Sequence, residues 1–100
     1  MTEQTNSEPQ DILWIDVRTP DEHSARSIAG HINIPHDVIE ARMSELNLAT
    51  NQVIKLYCRT GRRSGIAQQT LEKLGFSHSE NIGSFEAAVA LVSGNEDDED

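Results

Sequence analysis

Cysteine is almost missing from this chain: its 100 residues include one, Cys58. A lone thiol forms no internal disulfide, and it cannot build a zinc site of four cysteines or of two cysteines and two histidines. Basic residues are scarce as well, eight against seventeen acids, for a formal net charge of −9 at pH 7. That balance argues against nucleic acid and against an anionic membrane as partners, since both call for clustered positive charge. Long apolar runs are also lacking. The longest, Ala87 to Val92, has six residues, where a membrane-spanning helix takes about 20. Met1 to Gln10 carry neither a basic start nor an apolar stretch, so a cytoplasmic chain is expected, or a periplasmic one had a leader been removed. With 36% apolar and 25% charged residues, the composition is that of an ordinary globular protein. One domain over residues 11–93 is expected, between a flexible N-terminal segment, 1–10, and a disordered acidic tail, 94–100.

What is present alternates strand and helix. Ile12 to Val17 is a nearly unbroken apolar run, which suits a strand covered on both faces and so a parallel sheet. Thr19, Pro20 and Glu22 supply an N-cap, a first-turn proline and a capping-box partner for a short helix. Ile32 to Pro35 reads as a brief second strand that the proline ends. Asp37 and Glu40 repeat the capping-box spacing ahead of Ile39, Met43 and Leu46 at helical intervals. Val53 to Cys58 is a third strand, Gly65 to Leu74 a helix closed by Gly75, and His78 to Ile82 a weak fourth strand. Gly83 reads as a turn, and Ser84 caps a last helix carrying Phe85, Ala88, Val89 and Val92. With right-handed crossovers, that order predicts a small parallel sheet with helices on both faces.

Cys58 then falls at the carboxyl end of a strand, where ligands bind in such sheets. Arg59, Arg62 and Arg63 follow it at once, three of the eight bases in an acidic chain. A thiol reacts as its thiolate, and the free value of about 8.5 leaves little of it ionised at pH 7. The unpaired amide hydrogens of a strand-to-helix turn and nearby guanidinium groups both lower that value. The same ring of donors suits an anionic substrate and negative charge on sulfur. Cysteine-dependent phosphatases and arsenate reductases place their arginine after five intervening residues, but here that position is Ser64 and the arginine comes one residue sooner, at Arg63. The tighter ring suits a persulfide.

From about Trp14 to Val92 the chain resembles the rhodanese-like domain, and within it the single-domain sulfurtransferases related to phage shock protein E. The likeness is carried by Ile15-Asp16-Val17-Arg18, by Gly30 with Ile32-Asn33-Ile34-Pro35, and by the run from Tyr57 to Gly65. It implies an α/β domain whose small, mostly parallel central sheet has about five strands, flanked by helices on both faces. It further implies a thiosulfate sulfurtransferase with Cys58 as the catalytic residue and persulfide carrier. Arg59, Thr60, Gly61, Arg62 and Arg63 would bind the substrate through backbone N–H groups and the three guanidiniums. The implied partners are a small anionic sulfur donor, thiosulfate, and a cyanide or thiol acceptor, a thioredoxin-like protein among the candidates. No metal or organic cofactor is implied, and the chain is expected to be a monomer.

The chain departs from the common pattern at Arg26-Ser27-Ile28, where Gly-His-Ile is usual, at His31 in place of alanine, and at Gly83-Ser84 in place of Gly-Gly. These changes bear on substrate preference and leave the cysteine loop intact. Asp16 and Arg18 read as a structural pair, Trp14 as core, and Phe85 as core or pocket wall. None of His23, His31, His36 and His78 is placed by sequence near Cys58. A phosphatase or arsenate reductase and a non-catalytic partner-binding module stay as alternatives. The enzymatic reading expects Cys58 to be reachable from an exposed cleft.

Overall fold

The computed structural model describes residues 12–97; the expected N-terminal segment 1–10 lies outside them. Among the described residues, β1 (Leu13–Asp16), β2 (Ile32–Asn33), β3 (Ile54–Cys58) and β4 (Ser79–Ser84) form one sheet in the order β2-β1-β3-β4, and every pairing is parallel. The described sheet thus has four strands, where the resemblance implied about five. Between them run α1 (Pro20–Ala25), a 3-10 turn (His36–Val38) leading into α2 (Ile39–Leu46), α3 (Arg62–Lys73) and α4 (Phe85–Asp97). Helix α4 continues past the expected domain boundary into the acidic segment 94–100, of which 98–100 lies outside the described residues.

Period-two alternation in the central strand β3 divides the core. Ile54, Leu56 and Cys58 point to one face, where Ile39 and Met43 of α2 and Ala67 and Leu71 of α3 cover them. Tyr57 points to the other, against Phe85 and Ala88 of α4, with Trp14, Ile28 and Val89 around them. Both faces are therefore covered, as a parallel sheet requires. Helix α1 starts as its sequence dictates: the Glu22 amide donates to the Thr19 hydroxyl at 3.2 Å and the Thr19 amide to the Glu22 carboxylate at 2.9 Å.

Three local expectations are corrected. Asp37 caps nothing; Val38 is the N-cap of α2 without a side-chain bond, because the 3-10 turn begun at Pro35 supplies the lead-in through Val38 N–H to Pro35 O at 3.0 Å. Strand β4 runs on through Gly83, which sits at φ 112° where its pairing with β3 shifts register between Leu56 and Tyr57, so the glycine marks a bulge inside the strand. Helix α3 begins at Arg62, three residues before Gly65, so Arg62, Arg63 and Ser64 are its first turn.

Candidate active site

That early helix start builds the site. Strand β3 ends on Cys58, and Gly61, at φ 104°, turns the chain directly into α3. A β-carbon at Gly61 would come within 3.1 Å of the Gly83 backbone, so close approach and left-handed φ both demand glycine there. The Gly61 N–H donates to Cys58 Sγ at 3.0 Å, and the Ser64 hydroxyl lies 3.6 Å from it. Burial pushes the thiol pKa up. The amide and hydroxyl of Ser64 and the amides of Gly61 and Thr60 act against it, and the balance falls below the ordinary value. Amide hydrogens of the helix start are the main source of that activation.

The arginines divide. Arg59 is exposed and lines a pocket of about 450 Å³ together with Thr60, Arg18, Arg26, Phe85 and Glu86. Arg62 is exposed and stands outside that pocket. Arg63 reaches back across the site to α1, where its two terminal nitrogens donate to Glu22 at 2.9 and 3.2 Å. Glu22 holds the Arg63 guanidinium above its ordinary value, with a lesser contribution from the Cys58 sulfur. The expected ring of three free guanidiniums is thus replaced by one on the pocket wall, one in solvent and one shared with a carboxylate. In sequence, Glu22 shows only its capping role; its second partner is 41 residues away.

This pairing has a measurable consequence. Arg63 first, then the Thr19 amide, draw the Glu22 carboxyl from 4.5 down to about 2. A carboxylate with a depressed folded pKa adds stability above its unfolded value and loses it as pH falls through the folded one. Thermal melts across pH 7 to 2 should therefore show the native chain losing about 1 kcal/mol more than Glu22→Gln below pH 4.5, the figure being discounted for partial exposure. Parallel curves for the two proteins would contradict the pairing.

Beside the pocket lies a buried ionic cluster. The Arg18 side chain donates twice to Asp16 Oδ2, at 2.7 and 3.1 Å, and once to Oδ1, at 2.9 Å, while its backbone N–H reaches Oδ1 at 3.0 Å. His23 Nδ1 meets the same carboxylate at 2.9 Å. Burial opposes the Asp16 charge, but Arg18 and His23 hold its pKa below the usual range. The structural pairing expected for Asp16 and Arg18 is what the geometry shows. Arg18 also stacks over Phe85, 4.2 Å from guanidinium carbon to ring centroid, so Phe85 serves both as core and as pocket wall. On the far side of the sheet from Cys58, His31 stacks on Trp14 at 4.8 Å and bonds the Tyr57 hydroxyl at 2.7 Å.

The accessibility of the thiol differs from expectation. Cys58 is 0% exposed. Its sulfur is turned inward onto the amides, and the pocket opens over the next two residues, Arg59 and Thr60, without including Cys58 in its lining. The resting cradle is shut, so contact with a substrate takes a turn of the Cys58 side chain or a shift of the loop above it. Asn81 is a further residue that sequence reasoning passed over. Its carboxamide touches both Ser64 and Gly61 from β4, 17 and 20 residues away, and no local pattern marks it.

Comparison with known proteins agrees with this architecture. The sequence profile of the Rhodanese-like domain matches residues 3–90. The chain is 37% identical over 82 residues to the thiosulfate sulfurtransferase PspE of Escherichia coli, covering 81% of this chain and 79% of that one. It is 34% identical to a sulfurtransferase of Allochromatium vinosum, covering 76% and 69%. Among solved structures, a rhodanese with anions from E. coli superposes with a TM-score of 0.71 at 36% identity, covering 76% of this chain and 89% of that one. The human single-domain sulfurtransferase TSTD1, 22% identical with a TM-score of 0.68 over 80% and 82%, shares the fold. Profile, relatives and superposition point the same way: the chain belongs to the rhodanese-like family.

Proposed function

We propose that this protein is a thiosulfate sulfurtransferase that works by double displacement through a persulfide on Cys58. The observation that carries the reading is a single thiol at the end of a parallel strand, receiving the Gly61 N–H at 3.0 Å, with its pKa held down by the amides of the helix start. A relative named thiosulfate sulfurtransferase supports the donor class, and one named sulfurtransferase supports the reaction type.

In the first half-reaction the Cys58 thiolate attacks the outer sulfur of thiosulfate. A new S–S bond forms, the S–S bond of thiosulfate breaks, and sulfite leaves with the electron pair. In the second, cyanide or a thiolate attacks the terminal sulfur of the persulfide. Thiocyanate or the acceptor's persulfide departs, and the Cys58 thiolate is restored. Negative charge rests on the terminal sulfur of the persulfide between the two steps, and the amides of Thr60, Gly61 and Ser64, which lower the pKa of the Cys58 thiol, are the donors this reading assigns to it. Exposed Arg59 on the pocket wall attracts the dianionic donor, while Arg18 beside it is already neutralised by Asp16. Arg63, shared with Glu22, steadies the loop more than it binds substrate. The interval of four residues between Cys58 and Arg63 sets this ring apart from the larger loops that hold a phosphoryl group.

Mass spectrometry of the intact protein after exposure to thiosulfate tests the reading. A gain of one sulfur atom on Cys58, removed by cyanide, is the expected result, with thiosulfate a better donor than 3-mercaptopyruvate in steady-state assays. A folded chain whose Cys58 acquires no sulfur would overturn it.

A further inference from the structure

Behind the cradle, a single proton has a choice of places. The Ser64 hydroxyl is wholly buried and lies within reach of four acceptors: Asn81 Oδ1 at 2.6 Å, Gly61 O at 3.1 Å, Gly83 O at 3.5 Å and Cys58 Sγ at 3.6 Å. A hydroxyl has one hydrogen to donate. The shortest contact takes it, and that contact is Asn81. The orientation of the carboxamide is set from its other end, because Nδ2 donates to Gly61 O at 3.1 Å. A flipped amide would bring two carbonyl oxygens together there, so Oδ1 must face Ser64.

We propose that Asn81 is a positioning residue for the sulfur step: its carboxamide holds the Ser64 proton away from an uncharged Cys58 sulfur and yields it when that sulfur becomes an anion. A charge-assisted bond to a thiolate is stronger than a neutral one, which draws the proton across the short distance between the two acceptors. The competition also keeps the thiolate from the full stabilisation its donor set could give. A thiolate stabilised less remains the better nucleophile, and the best attacking thiols have pKa values near the ambient pH. The same carboxamide pins the Gly61 carbonyl, and with it the peptide that carries the turn into α3.

The inference rests on Cys58 being the sulfur-carrying thiol, but its test needs no sulfur donor, so the two succeed or fail separately. Cys58 is the sole cysteine, and the pH dependence of its thiolate ultraviolet absorbance, which needs no access to the buried sulfur, reports the pKa. Asn81→Ala removes the nearest of the acceptors that compete with sulfur for the Ser64 hydrogen, leaving the neutral Gly61 and Gly83 carbonyls, over which a thiolate has the advantage of charge, and the pKa should fall. In a Ser64→Ala background the same substitution should lower the pKa clearly less, any remainder coming from the loosened Gly61 carbonyl, and the difference is the coupling a double-mutant cycle isolates. Asn81→Asp, of equal size, should raise the pKa, and raise it more when Ser64 is present than when it is absent. That second variant carries the test if circular dichroism shows Asn81→Ala to be unfolded. Equal shifts with and without Ser64, or no shift in a folded variant, would overturn the proposal.

Discussion

Replacing Cys58 with alanine is expected to abolish sulfur transfer, a fall of at least about a thousandfold, because removal of a nucleophile that forms the covalent intermediate leaves no alternative route. No other thiol exists in the chain to substitute for it. The cost to folding follows from burial. Cys58 is packed with Leu56, Ala67 and Leu71 in the larger core and accepts the Gly61 N–H, so alanine leaves a small void and an unpaired amide, about 1–2 kcal/mol together. A thermal melt of Cys58→Ala should thus show a modest fall in Tm, with the assay at background. Residual turnover in a folded variant would remove Cys58 from its role.

The second large effect is on stability. Asp16→Ala is expected to destabilise the protein by about 3–5 kcal/mol, because it strands the Arg18 guanidinium in a buried position without its carboxylate. Both partners are buried, Asp16 at 0% exposed and Arg18 at 6%, with only the edge of Arg18 reaching the pocket wall. At about 4–8 °C per kcal/mol for a domain of this length, the drop in Tm should be obvious. Thermal or urea unfolding at pH 7 is the measurement. Asp16 has a depressed pKa, so its contribution is present above the ordinary carboxylate range and fades as the solution is acidified below it. A change in Tm of only a few degrees would show that the bond Arg18 Nη2 already gives the Arg26 carbonyl is enough to hold the guanidinium.

The parts of this architecture legible in the sequence were those written in short-range chemistry. The Thr19 capping box, the Gly75 stop at φ 99° and the Ser84 cap, whose hydroxyl receives the Ala87 amide at 3.0 Å, all follow from neighbours within three residues. The alternation of strands and helices along the chain and the position of Cys58 at a strand end followed from the apolar segments. What stayed hidden depends on tertiary pairing. Glu22 looked like a cap and also binds Arg63; Asn81 looked like an ordinary strand residue and underlies the cradle. Arg63 and Ser64 read as loop, because the helical pattern of apolar residues starts only at Ile66, while the backbone coils from Arg62. The closed thiol was hidden for a related reason: alternation along β3 gives the face to which Cys58 points, but how completely α2 and α3 cover that face is a matter of tertiary packing.

The close approach of Gly61 to Gly83 has a bearing on protein engineering. Grafting residues 58–64 onto a different α/β scaffold would transplant the nucleophile and its amides, yet leave behind the ground on which they stand. That ground is the bulged backbone of the adjoining strand, 3.1 Å from where a β-carbon on Gly61 would sit. A host without a kinked, side-chain-free stretch in that place would splay the graft, so the smallest portable unit of this chemistry is a loop together with a piece of its neighbouring strand.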